Sequence, residues 1–304
     1  MTLHPQSAAF LASIREANEP AWFEMEVNDA RKKFETLGAF GDVVEVENVR
    51  DDTIAGVPVR IYHVNAQQPR DAVVYFHGGG WVLGGIESHD AISRRLAKQA
   101  NVSVISVDYR KAPEHPFPAA LEDCFTVCDV LSLDHASFGI SDRMLVMGDS
   151  AGGNLAAAVS LMASQRGAPQ FVGQVLIYPV IDSSMKSESY QTFGIDHGLT
   201  AESMAWFWKQ YVGESNSREA PLASLANAED LSSMPPTHIV LAEYDVLFDE
   251  GQQFADRLLA ANVPTSVRVH DGHLHGFFHF AGLFDEAKTA TDAICQWCRE
   301  LLDH

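Results

Sequence analysis

Met144-Leu145-Val146-Met147-Gly148-Asp149-Ser150-Ala151-Gly152-Gly153 begins as an apolar run of strand length, breaks at Gly148 and hands over to a helical pattern from Asn154. Inside it, Gly148-Asp149-Ser150-Ala151-Gly152 fits G-x-S-x-G, a sharp strand-to-helix turn that exposes its serine on a strained backbone and tolerates only small flanking residues. Ser150 is therefore the candidate nucleophile. An ordinary Gly-rich turn satisfies the same five letters, so the assignment depends on what the rest of the chain supplies.

Outward from this stretch, strand-length and helix-length patterns alternate. Ala72 to Phe76 reads as a buried strand, Ser88 to Gln99 as a helix with Ser88 at its N-cap, Val102 to Val107 as a strand and Ala119 to Leu131 as a helix. After the elbow come a helix to about Gln165, a strand at Gln174 to Val180, a strand at His238 to Ala242, a helix from Asp249 to about Ala261, a strand at Ser266 to Val269 and a C-terminal helix. Such alternation implies an α/β fold with a mostly parallel sheet covered on both faces. Ahead of it, Val43 to Val46 and Val57 to Val64 read as two antiparallel strands. Two segments stand apart. Residues 1–42 are helical with scattered aromatics, and residues 184–232 interrupt the alternation with Met204, Trp206, Phe207, Trp208 and Tyr211 on one helix. An insertion of that length usually has its own task, and a lid is the natural one.

A serine nucleophile needs a base, an acid to orient it, and donors for the oxyanion. Asp245 follows the strand His238 to Ala242, at the sheet edge where functional groups collect in open α/β folds. Glu243 and Asp249 compete with it, but Asp249 is better placed to complement the dipole of the next helix. Four histidines, His270, His273, His275 and His279, follow the last strand. His275, directly before Gly276 on a loop, is the candidate base. The spacing of His273, His275 and His279 could also suggest a metal site, but no carboxylates are organised around them, so no metal is assigned. Oxyanion donors are expected from the Ala151 N–H and from His77-Gly78-Gly79-Gly80-Trp81, a Gly-rich run directly after a strand.

The bulk composition bounds the function. The 304 residues are 46% hydrophobic and 20% charged, enough for a full core in one catalytic domain. With 21 basic against 41 acidic residues the formal charge is −20, which repels phosphate backbones and anionic lipid surfaces and argues against nucleic-acid and membrane partners. Arg15 and Glu16 arrive before any sizeable apolar segment, which is not the pattern of a signal peptide, and no run approaches the roughly 20 residues of a membrane span. A cytoplasmic location is expected. Cys124/Cys128 and Cys295/Cys298 lie at spacings of four and three inside amphipathic helical patterns, and read as core residues rather than a redox or zinc motif.

Taken together, His77 to Trp81, Asp108-Tyr109-Arg110, Ala112 to Ala120, Gly148 to Gly153, Asp245-x-Leu-x-Asp249 and His275-Gly276-Phe277 resemble the bacterial hormone-sensitive-lipase-like carboxylesterases, marked by H-G-G-G and G-D-S-A-G. The resemblance implies an α/β-hydrolase fold: an eight-stranded, mostly parallel sheet flanked by helices, with residues 43–183 and 233–304 as core and residues 1–42 and 184–232 as helical cap. It implies Ser150, Asp245 and His275 as catalytic triad, Gly79, Gly80 and Ala151 as oxyanion hole, no cofactor, a small ester as substrate with a short- to medium-chain acyl group, and a monomer or homodimer. Trp81 and Trp206 are the candidate substrate contacts. The chain departs from the family pattern at Lys111, Val246, Phe248 and Leu274, which touches the shape of the acid loop and the pocket wall. An amide or carbamate hydrolase would use the same triad. A ligand receptor on this fold, like the resembling gibberellin receptors, lacks the histidine that His275 supplies here.

Overall fold

The structure is a computed structural model that describes residues 2–65, 67–213 and 216–302. In chain order the elements are α1 (Pro5–Ala17), α2 (Val27–Thr36), β1 (Asn48–Ile54), β2 (Val57–His63), β3 (Arg70–Phe76), α3 (Ile86–Ala100), β4 (Ser103–Val107), α4 (Ala119–Leu133) and β5 (Ile140–Asp149), followed by α5 (Ala151–Arg166), β6 (Gly173–Ile177), α6 (Glu188–Phe193), α7 (Ala201–Val212), β7 (Thr237–Tyr244), α8 (Phe248–Ala260), β8 (Thr265–Leu274) and α9 (Asp285–Leu302). The strands form one eight-stranded sheet in the order β1-β2-β4-β3-β5-β6-β7-β8. β2 pairs antiparallel with β1 and β4, and all other pairings are parallel.

Successive residues of a strand point to opposite faces, so a central strand buried on both sides must be apolar throughout. On β5, Met144 and Val146 pack with Leu121, Leu155 and Leu258 on the α4/α5/α8 face. Leu145 and Met147 pack with Leu96, Ile294 and Cys295 on the α3/α9 face. All four cysteines are free and buried, and burial pushes their thiols up, so they are core residues without thiolate chemistry. Among the described residues no helix is long and apolar enough to cross a membrane.

Two local expectations are corrected. Val43 to Val46 is not a strand: the edge strand is Asn48–Ile54, paired to β2 through a turn in which Ala55 and Gly56 both have positive φ. That turn geometry matches the twist of a two-residue hairpin, and charged residues along β1 suit an edge that must not recruit another strand. Ser88 is not an N-cap either. It stands three residues inside α3, where its Oγ accepts from the Gly85 N–H at 3.0 Å and so serves the helix start from within.

Candidate active site

Ser150 sits between β5 and α5 with φ 56° and ψ −118°, a conformation that costs a residue with a side chain about 1–3 kcal/mol and persists only where its surroundings impose it. The imposition is steric: a Cβ on Gly152 would lie 1.9 Å from the Phe76 carbonyl oxygen, so only glycine lets α5 start this close to β3. The Ser150 N–H donates to Ile177 O at 2.8 Å, which fixes the turn to the neighbouring strand.

β7 and β8 deliver the other two groups. Asp245 follows β7 directly, and its Oδ1 accepts the Leu247 N–H at 3.0 Å. His275 follows β8, with Nδ1 2.6 Å from Asp245 Oδ2 and Nε2 3.0 Å from Ser150 Oγ. A carboxylate accepts only, so Nδ1 carries the proton and the Nε2 lone pair faces the serine hydroxyl. Asp245 is almost fully buried and His275 is partly open, which keeps the carboxylate–imidazole bond in a low-dielectric setting while one ring edge meets the cavity. The Tyr178 ring packs against His275 at 4.5 Å between centroids and holds its plane. Glu243 turns away and accepts the Gly272 N–H at 2.6 Å, and Asp249 accepts the Ser189 N–H at 2.7 Å. Neither competes with Asp245.

The loop after β3 brings Gly79 and Gly80 beside Ser150 on the same cavity wall. No acceptor among the described residues takes the N–H groups of Gly79, Gly80 or Ala151. Gly79 has φ +113°, and a Cβ there would lie 2.4 Å from the Leu83 carbonyl oxygen, so this backbone course is open to glycine alone. The cavity above Ser150 holds about 170 Å³. Phe10, Trp22 and Phe34 wall it from the N-terminal segment, and Leu199, Met204 and Phe207 from the insertion.

Trp81 and Trp206 do not line this cavity. Gly80 and Trp81 both have positive φ (61° each), which turns the indole of Trp81 away from Ser150 to stack on Tyr211 at 4.0 Å and 2°. Trp81 is fully buried there and fastens α7 to the loop. Trp206 leans on Phe207 at 5.0 Å, and one step along a helix turns a side chain by about 100°, so Phe207 faces the cavity while Trp206 does not. Of the family departures, Lys111 pairs with Asp108 at 2.5 Å, Val246 and Leu274 are buried, and none stands in the cavity wall.

Asp149, which reads in sequence as a turn residue complementing a helix, does more. Its Oδ1 accepts the Tyr75 hydroxyl at 2.8 Å and the Gly78 N–H at 2.9 Å, tying the elbow to the loop after β3. Burial opposes its charge, but His89, His279 and Tyr75 outweigh that and hold its carboxyl well below the usual range. Glu250 is the opposite case: burial dominates and raises its carboxyl well above the usual range, although Oε1 accepts the Ile181 and Asp182 N–H groups.

The other histidines of this region disperse, His270 and His273 lying within β8 and His279 in the turn after it. His270 Nδ1 meets Glu286 at 2.7 Å, His273 stacks on His4 at 4.6 Å, and His279 faces His89 edge-on at 4.5 Å. Burial pushes His238 and His273 down to about 4 and His279 to about 3. These three fold neutral and take up protons only on unfolding, so their stabilisation is complete above the ordinary histidine range and is lost as pH falls from about 6.5 toward 4. Glu250 and Glu35 work the other way, but these two carboxyls stand against six histidines, since burial also pushes His63, His77 and His270 down, each proton setting a slope of about 1.4 kcal/mol per pH unit. The melting temperature is expected to fall steadily between pH 6.5 and pH 5, and a flat profile in that window would contradict the burial of these rings.

Residues 73–279 match the family described as alpha/beta hydrolase fold. An arylesterase of Saccharolobus solfataricus is 37% identical over 91% of this chain and 92% of that protein. An ethyl acetate hydrolase of Pseudomonas putida is 34% identical over 94% of this chain and 95% of its own. The solved structure of an ester-hydrolase from the metagenome of Lake Arreo, complexed with a derivative of bipyridine phosphonate, superposes with a TM-score of 0.96 at 33% identity, covering 100% of both chains. With the sheet order, the elbow and the family match in agreement over most of its length, the chain belongs to the α/β-hydrolase fold family.

Proposed function

We propose that this chain is a serine carboxylesterase acting on small esters, with Ser150 as nucleophile, His275 as general base and acid, and Asp245 as the group that orients the imidazole. The observation that carries the reading is the pair of contacts at His275, 3.0 Å to Ser150 Oγ and 2.6 Å to Asp245 Oδ2, on a strained elbow. The esterases among its relatives support it.

In the first half-reaction, Ser150 Oγ attacks the ester carbonyl carbon as its proton passes to His275 Nε2. Negative charge gathers on the carbonyl oxygen, where the Gly79, Gly80 and Ala151 N–H groups stabilise it; removing one such donor typically costs about 10²–10³ in kcat. The tetrahedral species collapses, the ester C–O bond breaks, and the departing alkoxide takes the proton from His275 Nε2. Water then attacks the acyl-enzyme, gives a proton to Nε2, and the carboxylic acid leaves as Ser150 regains its own. Residues 1–42 and 184–232 act as the cap that closes over this site.

The cavity size and its apolar walls favour short- to medium-chain acyl groups. Phe207 packs so close to the oxyanion loop that a Cβ built on Gly80 would come 2.1 Å from its ring, which puts this cap side chain beside the donors for the reacting carbonyl. A series of p-nitrophenyl esters from acetate to octanoate is expected to show turnover that declines at the long end. Phe207→Ala is expected to raise the octanoate-to-acetate ratio about tenfold, the scale of discrimination a pocket wall supplies per methylene or two. A ratio unchanged by Phe207→Ala would remove this residue from the acyl wall, and absence of turnover on every ester would overturn the esterase reading.

A further inference from the structure

On the side of the oxyanion loop facing α3, His89, Asp149 and His279 each bring one ligand atom to within 4.8 Å of the others, all three buried. They come from the first turn of α3, the end of β5 and the turn after His275, places that no spacing along the chain connects.

Hydrogen bonding decides which atoms are available. Ser88 Oγ lies 2.9 Å from His89 Nδ1 and engages that nitrogen, which leaves Nε2 as the ring atom turned toward the cluster. His89 Nε2 faces Oδ1 of Asp149 at 3.4 Å. The Gly78 N–H lies between them, shared at 2.9 and 3.3 Å, and the Tyr75 hydroxyl also donates to Oδ1 at 2.8 Å. His279 Nε2 is buried with no hydrogen-bond partner among the described residues. Two imidazole nitrogens and a carboxylate oxygen therefore converge in a buried site, and one of them, His279 Nε2, is left without a partner, which costs free energy unless a ligand satisfies it.

Two imidazole nitrogens and one carboxylate oxygen suit a borderline divalent ion such as zinc, whereas calcium and magnesium prefer oxygen alone. Bond lengths of about 2.1 Å place tetrahedral ligand atoms about 3.4 Å apart, the spacing His89 and Asp149 already have, and all three ligand atoms lie within 4.8 Å of one another. The supports such a site needs are present: Ser88 engages His89 Nδ1, and the Tyr75 hydroxyl orients the carboxylate. Entry is through the active-site cavity, whose wall includes both Asp149 and His279.

We propose that His89, Asp149 and His279 bind a single zinc-like divalent transition-metal ion beneath the oxyanion loop, and that occupancy inhibits ester hydrolysis. Inhibition follows from position. Asp149 precedes Ser150 in the chain and holds the Gly78 N–H, so an ion that claims its Oδ1 lone pairs shifts the loop that presents Gly79 and Gly80. The inhibition arm rests on the carboxylesterase reading, and the binding arm does not.

The test is titration of the metal-free full chain with Zn²⁺ by calorimetry and with Co²⁺ by visible absorption, alongside p-nitrophenyl acetate turnover. One ion per chain is expected, with a Co²⁺ spectrum of a four- or five-coordinate site. At saturation turnover falls at least about tenfold and EDTA restores it. Binding is expected to weaken about 10–100-fold in His89→Gln and in His279→Gln, each checked for a cooperative thermal transition without metal, and to persist in His275→Ala and Ser150→Ala. Absence of stoichiometric binding to the wild-type chain would overturn the site, as would binding that survives in His279→Gln but disappears in His275→Ala, which would put the ion on the triad histidine. If both glutamine variants fail to fold, the wild-type and His275→Ala spectra decide alone. Binding without inhibition would remove the regulatory part, and failure of the esterase reading would show as no turnover at any metal concentration with binding intact.

Discussion

Replacing Ser150 by alanine is expected to lower kcat on p-nitrophenyl acetate by a factor on the order of 10⁶, leaving only the weak acceleration that the oxyanion donors supply to attack by water. The side chain loses one atom and the backbone keeps its φ of 56°, because alanine carries the same Cβ and meets the same constraint from Gly152 and Phe76. Folding should therefore be unaffected, and the melting temperature should match that of the wild-type chain. Steady-state kinetics and a thermal scan on the same sample check both halves. Turnover within a few-fold of wild type would mean that Ser150 is not the nucleophile.

Asp245→Asn is expected to cost about 10⁴ in kcat with little change in KM, through the tautomer of His275 rather than through volume. The argument depends on a local detail. The Leu247 N–H holds the Oδ1 position as an acceptor, so an asparagine at 245 keeps its carbonyl oxygen there and turns its NH₂ toward His275. The imidazole answers by presenting a Nδ1 lone pair, which moves the ring proton to Nε2, where it points at Ser150 Oγ and removes the base. A loss of only a few-fold would show that the amide flips, or that the imidazole is oriented by Tyr178 packing instead.

Much of this arrangement was legible along the chain because it depends on short-range chemistry. Apolar runs mark β3, β5 and β7, the turn at Gly148 to Gly152 needs small residues wherever it occurs, and Asp245 and His275 each follow a strand end. What escaped were features decided by partners distant in sequence. Val43 to Val46 has strand composition, yet the pairing goes to the polar Asn48–Ile54, because the Ala55-Gly56 turn sets the register with β2. Trp81 looks like a substrate contact beside the glycines, yet its positive φ turns it toward Tyr211, a residue 130 positions away. Phe207 and Trp206 are neighbours of equal apolar character, and only the seating of α7 decides which one meets the cavity. Asp149 gave no sign that its carboxylate would reach Tyr75 and Gly78, since both contacts exist only once β3 and β5 lie side by side.

The central claim is that a covalent intermediate forms on Ser150 Oγ, and covalent capture tests it without any assumption about the natural ester. Incubation of the full chain with a fluorophosphonate, followed by intact mass and peptide mapping, is expected to give one adduct per chain on the peptide carrying Gly148-Asp149-Ser150-Ala151-Gly152, with no adduct in Ser150→Ala and sharply slowed labelling in His275→Ala. An unlabelled wild-type chain, or an adduct that maps to another residue, would contradict the account.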